Sequence, residues 1–426
     1  MLSALRRWLW RGCLAGGGLL ALGGPGAAQT PAAPVFRFAR PTQRRARVPY
    51  QAPRNLIVVR ACLNGLGPYN FVLDTGVNVS LLLDASLGDS LHLALGQRFR
   101  VLGTGVGAAL DAYQVDGVQV ALPGGVVGPA VSFLLLGPNN LNFSGFVGLP
   151  IRGILGADVF RSFVVAVNPG AAQLVLHDPA RYQAPAGRRW TALPLAVDAG
   201  KPYVTAQVLT HDSATAALRL LLDTGAGHAL SLDVSSDPAL RFPSPRVRAP
   251  LGWGLSGEVT GYLGRTAAVQ LGRYALASLI TSFPDTSHQL CRPRAFEGFR
   301  NGSLGYEALS RFCAVIDYAH NRLLLKPGPR YRQPFEQDVL GLEVVARGPH
   351  FRRYQVALVQ AGSPAAAAGL RVDDELLFVN FIPAASLSLT QLGELLRASA
   401  GHRLTLVVRR ADGELSSAVL ALKRAL

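Results

Sequence analysis

The sequence predicts a mainly β protein built from two repeated lobes and a smaller C-terminal module. Its 426 residues are 49% hydrophobic and include 46 Gly and 28 Pro, which interrupt the apolar runs at the short intervals typical of all-β chains. One apolar run that ends in Asp-Thr-Gly occurs twice, as FVLDTG at 71–76 and as LLLDTG at 220–225. Each copy is followed, in the same order, by a glycine-rich segment, an apolar-Gly motif and a β-rich tail. This shared order indicates a duplicated unit.

The positive charge is spread over the chain. The formal net charge is +16, and the one dense cluster consists of Arg40, Arg44, Arg45, Arg47 and Arg54. A nucleic-acid-binding protein usually carries a basic stripe with interleaved aromatic residues, and no such stripe occurs here. We therefore expect a solvated basic surface and no nucleic-acid partner, and leave open a weak contact with an anionic membrane or envelope surface.

The first 28 residues resemble a secretory signal. Arg6, Arg7 and Arg11 precede a short apolar stretch at 13–22, and small residues at 26–28 offer a cleavage site. The stretch is too short and too rich in Gly for a comfortable membrane span. We expect an exported protein, periplasmic, cell-surface or secreted, in which the Pro-, Ala- and Arg-rich residues 29–50 form a linker.

Three cysteines remain after removal of that segment. Export to an oxidising space permits a disulfide, and Cys291 with Cys313 is the expected pair. Cys62 lies in an apolar run and is expected to pack as a small buried group. No spacing of cysteine and histidine suggests a metal site, so we expect neither a metal nor a cofactor.

The glycine-rich segments are interpreted as hairpin tips. The first contains Gly103 and Gly105, and the second contains Gly252, Trp253 and Gly254. Neither is followed by Gly-Lys-Ser/Thr or by a convincing helix, so the context of a phosphate-binding loop is missing. Glycines suit flaps that move or let a backbone approach a ligand. Trp253 either supplies bulk at a flap tip or packs in a core.

The paired motifs resemble those of the bilobal aspartic peptidases. Each Asp-Thr-Gly is followed downstream by an apolar-Gly motif, Ile154-Leu155-Gly156 in the first lobe and Ser303-Leu304-Gly305 in the second. The more specific resemblance is to bacterial retropepsin-like proteins with a C-terminal PDZ domain. It implies the two-lobed double-psi β-barrel fold of acid proteases, with lobes at 51–185 and 186–330. Because one chain supplies both lobes, we expect a monomer.

The resemblance also assigns roles to the motif residues. Asp74 and Asp223 would be the catalytic pair, since two adjacent carboxylates share one proton and activate a water, which is the established chemistry of aspartic proteases. The supporting residues brace the loops, admit backbone N–H groups or pack behind the carboxylates. They are Thr75, Gly76, Thr224, Gly225, Ile154, Leu155, Gly156, Ser303, Leu304 and Gly305.

One departure from pepsin-like enzymes predicts a pH dependence. Those enzymes place Ser or Thr after the glycine, where the hydroxyl donates to the carboxylate, whereas this chain has Val77 and Ala226. Losing a hydrogen bond to the charged form raises a carboxyl pKa. We therefore predict an activity optimum at mildly acidic to near-neutral pH.

The C-terminal module resembles a PDZ domain. Residues 362–380, GSPAAAAGLRVDDELLFVN, match the central stretch of such domains, which places the domain at 335–426. Leu340, Gly341 and Leu342 would hold a peptide terminus while the strand edge adds the peptide as an extra strand. The alternative is a docking or stability domain with an empty groove. Ser388 and Gln391 predict a capping box that opens a helix.

Together these features predict an exported aspartic endopeptidase. It would cleave extended segments of peptides or unfolded proteins between its lobes, and its PDZ domain would recruit substrates or partners. The alternative is a catalytically silent peptide-binding or scaffold protein that uses the cleft and the PDZ groove.

Overall fold

The computed structural model describes residues 34–101, 103, 105, 107, 109–137, 142–210, 215–255, 257–285, 299–336, 340–397 and 403–421. The expected signal segment at 1–28 and Cys291 lie outside these residues. Cys313 is a free thiol, so the expected pairing with Cys291 gains no support, and Cys62 is free and only half-buried. Within the described residues, no helix is both long enough and apolar enough to span a membrane.

The N-terminal lobe is a closed β-barrel. Its strands are β1 (Arg37–Phe38), β2 (Arg45–Gln51), β3 (Val58–Leu63), β4 (Leu66–Leu73), β5 (Ser80–Leu82), β6 (Arg98–Val101), β7 (Leu110–Leu122), β8 (Val126–Leu136), β9 (Ile151–Leu155), β10 (Val164–Asn168) and β11 (Gln173–His177). Its helices are α1 (Ser86–Ser90), α2 (Phe143–Val147) and α3 (Ala157–Ser162), with 3-10 turns at Pro53–Asn55, Pro169–Ala171 and Pro179–Arg181. Pairing runs β3-β4-β9-β5-β8-β7 and returns to β3.

The second lobe repeats this barrel. Its strands are β12 (Thr191–Pro194), β13 (Ala196–Asp198), β14 (Lys201–Leu209), β15 (Thr215–Asp223), β16 (Leu230–Leu232), β17 (Arg246–Gly254), β18 (Gly257–Leu271), β19 (Tyr274–Pro284), β20 (Gly302–Gly305), β21 (Phe312–Asp317) and β22 (Arg322–Pro327), and its described residues include the helix α4 (Tyr306–Leu309). Pairing runs β14-β15-β20-β16-β19-β18 and returns to β14. The strand order matches that of the first barrel, which confirms the mainly β, two-lobed fold that the sequence predicts.

A six-stranded layer joins the two lobes. Its order is β12-β22-β21-β10-β11-β2, and its centre is the antiparallel pair β10 and β21, in which Val165 lies opposite Ile316. One apolar core runs through both barrels and this layer. The lobes are therefore packed as one body, with the ends of β4 and β15 at their junction.

The prediction of a linker at 29–50 is wrong for the part that the structure describes. Strand β2 pairs with β11 and β3 and alternates exposed and buried residues throughout. Ala46, Val48 and Tyr50 face the core, while Arg45 and Arg47 are exposed. This alternation of exposed and buried residues is typical of a half-buried strand. It was not recognised in the sequence because the segment is rich in basic residues. The strand occupies the place in its lobe that β12 takes in the second.

The C-terminal module has a separate core. Its strands are β23 (Leu342–Arg347), β24 (Arg353–Val359), β25 (Glu375–Val379), β26 (Ile382–Pro383), β27 (Arg403–Arg409) and β28 (Leu415–Ala421), and its helices are α5 (Pro364–Ala367) and α6 (Leu389–Arg397), with a 3-10 turn at Ala384–Ser386. The sheet order is β23-β24-β25-β27-β28, so β23 is an edge strand.

The predicted start of this module at residue 335 needs a correction. Phe335 is buried in the core of the lobes, and the guanidinium carbon of Arg311 lies 4.4 Å from the centroid of its ring. This cation–π contact and the burial hold Phe335 to the second lobe.

Candidate active site

Strand pairing places Asp74 at the end of a buried strand. Residues Phe71, Val72 and Leu73 of β4 are buried, and Leu73 lies opposite Leu155 of the parallel strand β9. The backbone N–H of Asp74 donates to the Leu155 carbonyl at 2.9 Å. The carboxylate therefore leaves the strand at a fixed position.

The second lobe places Asp223 in the same way. It ends β15 and lies opposite Gly305 of the parallel strand β20. The loops after the two glycines are anchored alike, because the Val77 carbonyl accepts from Ala157 N at 2.9 Å and the Ala226 carbonyl accepts from Tyr306 N at 2.8 Å. Behind these loops lie the predicted motifs Ile154-Leu155-Gly156 and Ser303-Leu304-Gly305.

The two carboxyl groups face each other at the junction of the lobes. Asp74 is 9% exposed, and its carboxyl lies beside that of Asp223, since both line the same side of Gly76. Gly76 N donates to Asp74 Oδ1 at 2.6 Å, and Gly225 N donates to Asp223 Oδ1 at 3.1 Å. A Cβ on Gly225 would overlap the Asp74 carboxyl, and one on Gly76 would lie 3.1 Å from an oxygen of each carboxyl. Both glycines are thus required by the close approach of the opposite loop.

The threonines of the motifs bind the two loops together. Thr75 Oγ1 donates to the Leu222 carbonyl at 2.5 Å and accepts from Thr224 N at 3.0 Å. In the mirrored arrangement, Thr224 Oγ1 donates to the Leu73 carbonyl at 2.8 Å and accepts from Thr75 N at 3.1 Å. Both threonines are almost fully buried. These reciprocal bonds set the separation of the two carboxyls.

Burial decides the electrostatics of the pair. Desolvation raises the pKa of the Asp74 carboxyl well above its ordinary value, and the neighbouring Asp223 charge raises it further. The hydrogen bond from Gly76 and the positive charge of Lys201 act in the opposite direction and are weaker. The pair therefore keeps a proton at a pH where an exposed aspartate would have lost it. The direction agrees with the sequence prediction, although burial, rather than the absent hydroxyl, is the leading cause.

Two polar neighbours of the pair were missed from the sequence. Lys201 begins β14 and is 3% exposed. His228 Nε2 lies 2.9 Å from Ser303 Oγ, and burial lowers the pKa of its imidazole while the Asp223 charge opposes that shift. Lys201 had a usable signal, because a lone cation that opens an apolar strand is seldom buried without a role. His228 had no signal beyond its place three residues after Gly225.

The two glycine-rich segments meet each other. β17 and β18 form a hairpin in which Gly254 lies opposite Gly257. Leu255 at its tip packs against the first lobe, and a Cβ on Gly103 would lie 2.5 Å from Leu255 Cβ. Trp253 is 46% exposed, so the interpretation as a core residue is wrong. Gly105 and Gly252 lie in the same two segments, both at positive φ.

The predicted peptide-binding residues, Leu340, Gly341 and Leu342, form the loop that leads into β23 and the first position of that strand. Leu340 and Leu342 are buried, and Gly341 has φ +62°. The Leu340 carbonyl accepts from Ala365 N at 3.1 Å, and the Gly341 carbonyl accepts from Gln360 N at 2.8 Å. These two hydrogen bonds attach the loop to α5 and to the segment that follows β24.

No cluster of metal-binding side chains occurs in the part of the chain that the structure describes. The acidic pair consists of two carboxyls with backbone N–H donors around them. Two adjacent carboxyls of this kind can share one proton.

Two family profiles match the chain. The profile described as aspartyl protease matches residues 59–159, which include Asp74 and the Ile154-Leu155-Gly156 motif. The profile described as PDZ domain matches residues 355–410. No curated protein matches the chain.

Among solved structures, the chain is similar to basic 7S globulin from soybean, at 11% identity and a TM-score of 0.38, over 66% of this chain and 94% of that one. It is also similar to a photosystem II D1 C-terminal processing protease, at 25% identity and a TM-score of 0.19, over 20% of this chain and 23% of that one. At these TM-scores neither likeness carries an argument. The assignment of domains rests on the two profiles and on the repeated barrels.

Proposed function

We propose that this chain, which carries an aspartyl protease domain and a C-terminal PDZ domain, is an aspartic endopeptidase that uses Asp74 and Asp223. The observation that carries the proposal is the close approach of these two carboxyls at the junction of two equivalent barrels. Each carboxyl also accepts a hydrogen bond from the N–H of its own glycine. Geometry and protonation both suit a pair that holds one proton.

The mechanism follows from that shared proton. The ionised member takes a proton from a water while the water oxygen forms a bond to the scissile carbonyl carbon. The protonated member donates to the carbonyl oxygen and stabilises the charge that develops there. The C–N bond then breaks, and a proton passes from the pair to the leaving amine. Neither step requires a nucleophilic side chain.

The surroundings support an extended polypeptide as the substrate. The tip at Gly103 of the first lobe contacts the tip at Leu255 of the second, and in this proposal a substrate chain passes beneath them. A chain that is already extended can enter such a cleft directly, whereas a folded protein would first have to unfold. We therefore assign unfolded segments and peptides as substrates, with the PDZ domain as a second site for a peptide terminus.

Incubation with a mixed peptide library tests the proposal. The chain lacking residues 1–28 should cleave internal peptide bonds, pepstatin should abolish the cleavage, and chelators and serine-directed reagents should leave it unchanged. Mass spectrometry of the products between about pH 4 and pH 8, above the ordinary pKa of aspartate, gives the cleavage sites. The absence of cleavage of any peptide would instead favour a silent peptide-binding protein.

We also propose that the enzyme works outside the cytoplasm. The support is the resemblance of residues 1–28 to a secretory signal, with its early arginines and short apolar stretch.

A further inference from the structure

The outer edge of β23 carries the backbone groups that an added strand would use. Val344 pairs with Val356, and the N–H of Val356 donates to the Asp374 carbonyl at 2.8 Å, away from β23. The backbone groups of Val344 therefore point away from β24. Since strand geometry repeats every two residues, Ala346 points the same way. A peptide that extends the PDZ sheet would bond here.

In this structure the first protease lobe covers that edge. Arg54 Nη2 donates to the Val344 carbonyl at 2.6 Å. Gly145 of α2 lies so close to the Ala346 carbonyl that a Cβ on it would be 2.7 Å from the oxygen. Val344 and Ala346 are both buried. The first lobe therefore bonds the Val344 carbonyl and covers the Ala346 carbonyl.

The covering segment also contacts the helix on the other side of the groove. A Cβ on Gly148, which follows α2, would lie 2.6 Å from Leu389 Cβ at the start of α6. Arg54 holds the segment in place, because its Nε donates to the Phe146 carbonyl at 3.1 Å and its guanidinium carbon lies 4.7 Å from the Phe146 ring centroid. Helix α2 and Arg54 thus form one unit that contacts both β23 and α6.

We propose that α2 with Arg54 is an internal ligand of the PDZ groove, which must leave before the groove can take an extended peptide with a free C-terminal carboxylate. The proposal rests on the peptide-binding part of the proposed function. The internal ligand has a high effective concentration because it is covalently linked. The apparent affinity for a free peptide is reduced by the fraction of molecules in which the groove is open. The PDZ domain is then a gated site.

Two substitutions open the groove by different routes. Gly145→Ala places a methyl group against the Ala346 carbonyl and against the side-chain amide of Asn142, just before α2. Arg54→Asn removes the guanidinium while keeping a residue that tolerates the left-handed backbone at φ +52°. Gly88→Ala in α1 is the control for the first, since a Cβ there meets only Leu135 Cδ2, at 3.2 Å. Arg60→Asn on the exposed face of β3 is the control for the second.

The test uses the full chain without residues 1–28, in an Asp74→Asn background, so that loss of the proposed peptidase activity cannot be mistaken for loss of peptide binding. Deuterium exchange is measured over residues 342–347. Each protein is also immobilised and exposed to a pool of random octapeptides with free C-termini, with an amidated pool as the reference. Retained peptides are counted by mass spectrometry.

Gly145→Ala and Arg54→Asn should both raise exchange at 342–347 and raise retention of the carboxylate pool about tenfold or more over the background protein. The amidated pool and both control variants should stay at the background level. Equal exchange and retention in all five proteins would overturn the proposal, and so would faster exchange without additional retention.

Discussion

Asp74→Asn and Asp223→Asn are each expected to lower kcat for peptide cleavage by about a thousandfold or more, in the upper range for removal of a general acid or base. An amide can neither take a proton from the attacking water nor share one with its neighbour. Because the pair acts as a unit, the double variant should be little worse than either single variant. Initial rates on one library peptide at matched enzyme concentration measure the effect.

The control for these variants is Asp89→Asn, which makes the same change on the exposed surface of α1 and should keep full activity. Each variant should also keep the circular dichroism spectrum of the parent, since Asn preserves the shape of the side chain. Substantial turnover by either folded variant would remove Asp74 and Asp223 from the chemistry.

Thr75→Val is expected to destabilise the chain by about 2–4 kcal/mol, since it leaves two buried backbone groups without partners. The hydroxyl of Thr75 bonds the Leu222 carbonyl and the Thr224 N–H, and both lie in the opposite lobe. Valine keeps the shape and removes the donor and the acceptor. Thr224→Val should cost a similar amount, because its hydroxyl makes the mirrored bonds.

Urea unfolding measures the change as a shift in midpoint at constant slope. The matched control is Thr205→Val on the exposed face of β14, which should stay within about 0.5 kcal/mol. The double variant should deviate from additivity, since the two side chains share one hydrogen-bonded network. A cost for Thr75→Val no larger than that of the control would mean that the bonds between the loops do not hold the lobes together.

The repeat was predictable because its signal is local. Each Asp-Thr-Gly ends a strand whose apolar run is continuous in the sequence, and each downstream glycine motif lies in a strand parallel to it. The capping box at Ser388 was predictable for the same reason, and the structure has both of its bonds, from Gln391 N to Ser388 Oγ and from Ser388 N to Gln391 Oε1. Such features depend on residues close together in the chain.

Features that depend on distant contacts were not predictable. In the sequence, Arg45–Gln51 has the composition of a basic linker, and only its pairing with β11 shows that it is a strand. His228 acquires a role only when the fold brings it near Asp223. The cover over β23 joins Arg54 to Val344, 290 residues away. No spacing in the sequence could indicate that contact.

The pH dependence of kcat/KM on a single library peptide tests the shared proton most directly. Burial and the Asp223 charge raise the pKa of Asp74, so the proton of the pair is retained into the mildly acidic to near-neutral range. Activity requires that proton, and the rate should fall as pH rises through the raised pKa. It should also fall on acidification, when the pair takes up a second proton. The predicted result is a bell-shaped dependence of kcat/KM on pH, with its maximum above about pH 4, the ordinary pKa of aspartate. A maximum below about pH 3, or a rate that rises steadily into the alkaline range, would contradict the account.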